Sequence, residues 1–190
     1  MKYKAFFLSL LSFLLLTGCG AADNVTPAED TTSAVSSSDG DQTDKSPLAS
    51  FSASSVDGET YTGDIFSDYD ITMVNVWATW CPPCAAELPD LAVVYDQKPE
   101  NVNMISICTD AGESADAAAL AKQMVSDAGG DFLILIPDSV LNDVLLADVM
   151  AIPTTFFIDK NGYTVGEPHV GSDNSAAYLS MIDDALSCMS

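Results

Sequence analysis

The chain has 190 residues, 48% of them hydrophobic, which is enough for one ordinary domain with a real core plus extra segments. It carries 28 Asp and Glu against six Lys and Arg, a formal charge of −22. An acidic surface of this kind cannot neutralise phosphates and argues against nucleic acid as a partner. It also repels anionic lipid headgroups, so attachment to a membrane would rest mainly on a covalent anchor.

Residues 1–18 read as a secretory signal. Lys2 and Lys4 give a positive start, and residues 5–16 form an apolar run broken only by Ser9 and Ser12. That run is shorter than the roughly 20 residues a membrane span needs. Leu16-Thr17-Gly18-Cys19 resembles a lipobox, the site at which bacterial lipoproteins are acylated on the cysteine and cut just before it. Cys19 is therefore the expected lipidation site, placing the protein on the extracytoplasmic side of a bacterial membrane. Residues 19–47 are acidic and rich in Ser and Thr, with almost no bulky apolar side chain. Such a segment cannot offset its ordering entropy and is expected to be a disordered tether with a reach on the order of 30 Å.

A folded domain is expected over residues 48–190. Residues 51–56 and 60–62 flank Asp57-Gly58, a two-residue hairpin signal. Residues 71–77 read as a strand rich in β-branched side chains. It feeds a helix that starts just after Cys81, has Pro82 in its first turn and runs to about Tyr95, with a kink expected at Pro89. A strand follows at 102–108, then an Ala-rich helix at 114–128 that stops at Gly129-Gly130. A third strand at 132–136 leads to a short helix at 139–147. Strands at 154–158 and 163–165 bracket the turn Asp159-Lys160-Asn161-Gly162. The last element is a helix at 174–188, capped by Ser172 or Asp173. This order predicts an α/β fold with an N-terminal hairpin and a mixed sheet covered by helices.

Chemistry concentrates at Cys81-Pro82-Pro83-Cys84, where a strand hands over to a helix. The first-turn N–H groups and the helix dipole favour a thiolate at Cys81, lowering its pKa and making it a nucleophile near neutral pH. Cys84 lies three residues on, on the same face, within reach of a short disulfide. A bridge around two residues adds little chain-entropy stabilisation, so a structural role explains it poorly. A zinc site would need further ligands, yet Cys108, Cys188 and His169 stand apart from one another. The spacing predicts a redox dithiol that binds no metal and needs no cofactor.

The segments Val74-Asn75-Val76-Trp77-Ala78-Thr79-Trp80-Cys81-Pro82-Pro83-Cys84, Glu87-Leu88-Pro89 and Ile152-Pro153-Thr154-Thr155-Phe156-Phe157-Ile158-Asp159 carry a resemblance. The chain resembles the TlpA/ResA-type thioredoxin-like lipoproteins from about Leu48 onward. That resemblance implies a thioredoxin-like fold and a membrane-anchored thiol–disulfide oxidoreductase. It would reduce protein disulfides, in cytochrome c maturation or thiol repair, with a membrane thiol electron donor to regenerate it. It implies a monomer, a cis-proline at Pro153 facing the disulfide, and a substrate site lined by Trp80, Pro82, Pro83, Ile152 and Pro153. Ordinary thioredoxins place a buried Asp six positions before the first cysteine, where this chain has Asn75. The ResA-like branch instead places an acid three residues after the second cysteine, which matches Glu87. Glu87 shares a helix face with Cys84, so a partly buried carboxylate there could exchange protons with the thiol pair.

Two other activities occur on the same fold. A peroxiredoxin-like thiol peroxidase would use an Arg and a Thr three residues before its cysteine; this chain has no Arg, and Thr79 lies two residues before Cys81. A Sco-type copper-binding module would space its cysteines more widely and add a His, and His169 is the only imidazole. No catalytic role is assigned to His169. Trp80 could also be a partly buried core aromatic. Cys108, at the end of an apolar strand, is expected to be a buried inert thiol. Cys188 reads as a satellite core residue or an exposed thiol, and Cys108 and Cys188 are candidates for a second bridge.

Overall fold

The computed structural model describes residues 46–189. The expected signal segment, Cys19 and all of the expected tether except Ser46 and Pro47 lie outside the described residues. Ser46 is buried, and its hydroxyl accepts the Leu48 N–H (3.1 Å) as the cap of a 3-10 turn, Pro47–Ser50.

Seven strands follow: β1 Ser52–Ser55, β2 Thr60–Thr62, β3 Ile71–Trp77, β4 Val102–Cys108, β5 Leu133–Ile136, β6 Thr154–Asp159 and β7 His169–Val170. They form one sheet in the order β2-β1-β5-β4-β3-β6-β7. β3, β4 and β5 run parallel, while β1, β2, β6 and β7 pair antiparallel to their neighbours. Three helices, α1 Pro82–Gln97, α2 Ala115–Asp127 and α3 Ser175–Ser187, complete the thioredoxin-like α/β fold.

β3 lies between β4 and β6 and is buried along its whole length. Alternation of its side chains feeds two cores. Ile71, Met73 and Trp77 pack with Leu88 and Leu91 of α1, Val125 of α2 and Ile182 of α3. Val74 and Val76 face the opposite layer, with Leu48, Phe51, Phe66, Leu141 and Leu145. Full burial of each large apolar side chain stabilises by about 1.5–3 kcal/mol, so β3 is firmly anchored in both layers. Asn75 belongs by alternation to the helix-covered face, which sets up the site described below.

Four local expectations are refined. α1 runs unbroken through Pro89, which lies on the exposed side, where water can serve the Ala85 carbonyl that Pro89 leaves without an N–H partner. The short helix after β5 is a π-type turn, Leu141–Leu145, closed by the Leu146 N–H on the Leu141 carbonyl. Residues 163–165 make only an isolated bridge, Thr164 to Ile158; Gly166 at φ +71° and Pro168 interrupt the ladder, and pairing resumes as His169–Val170 against Thr154–Thr155. The cap of α3 is Asn174 rather than Ser172 or Asp173, its side chain accepting the Ala177 N–H. Asp173 supports that cap instead by accepting the Asn174 N–H.

Candidate active site

The end of β3 delivers a β-turn, Ala78 to Cys81, closed by the Cys81 N–H on the Ala78 carbonyl (3.1 Å). Cys81 is the N-cap of α1: its sulfur accepts the Cys84 N–H at 3.3 Å, and the prolines that follow have no N–H to leave unpaired. Cys81 and Cys84 form a disulfide with Cα atoms 5.3 Å apart. Cys84 is fully buried and Cys81 is 4% exposed, so Cys81 is the member of the pair that reaches solvent. Pro82 and Pro83 are exposed beside it.

The start of β6 faces this pair. The Ile152-Pro153 peptide bond is cis, and the Ile152 carbonyl oxygen lies 3.8 Å from Cys81 Sγ. The Gly171 N–H satisfies the Pro153 carbonyl (2.9 Å), which ties the end of β7 to the same loop. Trp80 is 70% exposed, which excludes the core-aromatic reading. It lines an open groove of about 570 Å³ with Val76, Leu146, Met150 and Ile152.

Behind the disulfide lies a buried polar network. Glu87 is one turn beyond Cys84 on α1 and is 2% exposed. Its carboxylate accepts hydrogen bonds from Asn75 Nδ2 (3.0 Å) and Tyr178 Oη (2.6 Å). Asn75 Nδ2 also donates to Thr155 Oγ1 (3.2 Å), and the Asp173 N–H donates to Tyr178 Oη (3.3 Å). β3 and α3 therefore both donate to a carboxyl carried on α1, and β6 steadies the β3 donor through Thr155. Burial pushes Glu87 above its ordinary value of 4.5, against the pull of the hydrogen bonds from Tyr178 and Asn75. Burial likewise pushes Tyr178 up, with Glu87 adding to it, so the phenol keeps its proton and remains a donor. His169 meets the Tyr178 ring edge-on at 5.9 Å and does not touch Glu87 through any described hydrogen bond.

A second buried acid, to which no sequence pattern points, lies against the Cys81 turn. Asp110 Oδ1 accepts the Thr79 N–H (2.9 Å), and Oδ2 accepts the Thr79 hydroxyl. Burial works to raise Asp110, but the donors from the Thr79 side chain and backbone outweigh it and hold the carboxyl below its ordinary value. The Cys108 thiol donates to Asp110 Oδ1 (3.2 Å). Cys108 is buried and Cys188 exposed, and both are free, so the candidate second bridge is absent. Among the described residues no group of three or more His, Cys, Asp or Glu is placed to hold a metal ion.

The chain matches the family described as Redoxin over residues 41–186. It is 32% identical over 179 residues to the thiol:disulfide interchange protein DsbE of Vibrio cholerae, covering 92% of this chain and 89% of that protein. It is also 32% identical over 92 residues to the thiol-disulfide oxidoreductase ResA of Oceanobacillus iheyensis, covering 47% of this chain and 44% of that one. A crystal structure of a thioredoxin-family thiol:disulfide interchange protein from Chlorobium tepidum superposes with a TM-score of 0.60 at 25% identity. That match covers 75% of this chain and 97% of the other.

The raised Glu87 carboxyl carries a signed stability prediction. A carboxyl that binds its proton more tightly folded than unfolded contributes fully below the unfolded value, and that contribution is lost as pH rises through the native value. Glu87→Gln removes the titration. The unfolding free energy of the wild type relative to Glu87→Gln should therefore fall as pH climbs upward from 4.5, read from urea midpoints at unchanged m-value. A flat difference across that range would mean that Glu87 titrates like a free surface acid.

Proposed function

We propose a mechanism and a setting from one premise: the chain belongs to the Redoxin family and is a thiol–disulfide oxidoreductase of the DsbE and ResA type. The reduced protein attacks a disulfide of a protein substrate with the Cys81 thiolate. One substrate sulfur bonds to Cys81 and the other leaves as a thiol. Cys84 then attacks the Cys81 sulfur, which releases the second substrate thiol and leaves the Cys81–Cys84 disulfide. Two electrons pass to the substrate, and a membrane thiol donor returns two electrons to the pair.

The observation that carries this reading is the placement of Cys81 as the N-cap of α1, with its sulfur receiving the Cys84 N–H. The same donor that orders the helix stabilises negative charge on that sulfur. Glu87 serves the step that needs a proton moved. Its carboxyl is raised by burial toward the range in which a lowered thiol titrates, so it can take the proton of the buried Cys84 as that sulfur becomes a nucleophile. Trp80, Pro82, Pro83 and Ile152 form the surface against which the substrate segment lies, with Pro153 fixing the loop behind them.

The setting is the extracytoplasmic face of a bacterial membrane, with a lipid on Cys19 and residues 19–47 as the tether. Protein disulfides are the substrates, in cytochrome c maturation or thiol repair, and the protein acts as a monomer. The signal-like residues 1–18 and the Leu16-Thr17-Gly18-Cys19 sequence support this placement.

Insulin-disulfide reduction tests the chemistry. Cys81→Ser should abolish turnover, whereas Cys84→Ser should accumulate a mixed disulfide on Cys81, because only the second attack is lost. A trapped adduct on Cys84 in the Cys81→Ser protein, at a yield above that on Cys81 in Cys84→Ser, would reverse the roles. Hydrogen peroxide turnover exceeding insulin reduction would favour the peroxidase. The anchor has its own test: the mature protein should begin at an acylated Cys19 and partition into detergent, and Cys19→Ala should release it or leave the precursor uncut. Mass spectrometry finding an unmodified N-terminus beyond Cys19 would contradict the anchor.

A further inference from the structure

β3 and β4 run parallel with Trp77 opposite Cys108, so the turns that leave the two strands emerge side by side. Thr109 binds across this gap, its N–H and hydroxyl both on the Trp77 carbonyl at 2.9 and 3.2 Å. Asp110 comes next and is buried. Its carboxylate receives three donors: the Thr79 N–H, the Thr79 hydroxyl and the Cys108 thiol. No salt bridge reaches Asp110 among the described residues. A buried carboxylate without a cation costs several kcal/mol unless hydrogen bonds satisfy it, so Asp110 depends on these donors. The turn depends on Asp110 in return.

Thr79 and Trp80 are the two central residues of the turn that ends at Cys81. Two hydrogen bonds that Thr79 donates to one carboxylate remove the turn's freedom to rotate. They thereby fix where Cys81 sits between the Cys84 N–H and the Ile152 carbonyl. The third donor has a separate consequence. Cys108 shares one core with Cys81 and Cys84, together with Trp77, Ala78 and Ala111. A Cys108 thiolate that came within bonding reach of the disulfide would attack it: a bond would form from the Cys108 sulfur to one active-site sulfur, and the other would leave as thiolate. That isomer keeps the same oxidation state and is a dead end.

We propose that Asp110 is a positioning residue for disulfide exchange, clamping the Thr79 turn that presents Cys81 while holding the Cys108 thiol as a hydrogen-bond donor outside the exchange. The inference rests on the exchange reading of Cys81 and Cys84. Electrostatics agrees with the geometry. Burial, then the hydrogen bond to Asp110 and its charge, push the Cys108 thiol up to about 12, which leaves almost no thiolate at neutral pH.

Insulin reduction resolved into kcat and KM, for the wild type, Thr79→Val, Thr79→Ser and Asp110→Asn, tests the clamp. Thr79→Val keeps the backbone donor and loses the hydroxyl. Its kcat should fall about tenfold with KM little changed, as expected when a reacting group is misplaced rather than a binding surface removed. Thr79→Ser, which retains the hydroxyl, should recover to within about twofold of wild type. Asp110→Asn should be at least as slow as Thr79→Val. After reoxidation, peptide mapping should find part of it with Cys108 in a disulfide, a product absent from wild type. Adding Cys108→Ser should remove that product without restoring the rate. Wild-type kcat in folded Thr79→Val and Asp110→Asn would overturn the clamp, as would equal losses in Thr79→Val and Thr79→Ser. Absence of any Cys108 disulfide in Asp110→Asn would overturn the second role. Should Asp110→Asn fail to fold, the Val and Ser pair decides the clamp, and alkylation of the reduced wild type at graded pH decides the second role: Cys108 should stay unlabelled where a free thiol reacts, and a Cys108 midpoint at the free value of about 8.5 would overturn it. An inert wild type would instead defeat the exchange reading itself.

Discussion

The hydrogen bond from the Cys84 N–H to the Cys81 sulfur is the contact on which the rest of the site depends. It is at once a helix cap, a charge-stabilising contact and the device that sets two sulfurs within one helical turn. A cap of this kind works only if the helix starts at a fixed place. That place is set by β3, whose seven residues are all buried and paired with β4, and of which Ile71 to Val76 are paired with β6 as well. A well-anchored strand and a proline-led first turn together leave Cys81 little choice of position. The chemistry of the dithiol is thus a consequence of where the sheet ends.

Two buried carboxyls flank this point, and they respond in opposite directions. Glu87 is pushed up because desolvation outweighs the donors from Tyr178 and Asn75. Asp110 is held down because the Thr79 and Cys108 donors outweigh its desolvation. Neither has an ionic partner among the described residues. The contrast fits the two roles proposed for them: a raised carboxyl suits proton exchange with the thiols, and a lowered one suits a fixed acceptor. Asn75 adds to this division. In place of an acid on the strand, an amide donates to Glu87 and Thr155, so the charge sits on the helix that also carries the sulfurs.

The parts legible in the sequence are those governed by local rules. The β3-to-α1 handover follows from a β-branched run, a cysteine and two prolines, and the β1–β2 hairpin follows from Asp57-Gly58. The cis peptide bond at Pro153 rested on a resemblance, since an X-Pro pair alone says little. What no local rule shows is held by contacts between distant residues. Tyr178 meets Glu87 across 91 positions, and Asp110 meets Thr79 across 31, so no periodicity in either segment points to its partner. The one available signal for Asp110 was topological: parallel β3 and β4 must release their following turns together. Local competition explains the smaller differences. Asn174 displaced Ser172 and Asp173 as the cap because Asp173 is engaged with the Asn174 N–H and with the Tyr178 end of the Glu87 network. The strand expected at 163–165 stays a single bridge because the Asp159 turn, in which Oδ1 accepts the Asn161 and Tyr163 N–H groups, precedes it and Gly166 and Pro168 cut it short.

The central claim is that Cys81, capping α1, is the ionised attacking sulfur of the pair. It is tested most directly by alkylating the fully reduced protein at graded pH and locating the label by peptide mass. The account predicts that Cys81 reacts before Cys84, with a midpoint well below the free-thiol value of about 8.5. Faster labelling of Cys84, or a Cys81 midpoint at or above that value, would contradict it.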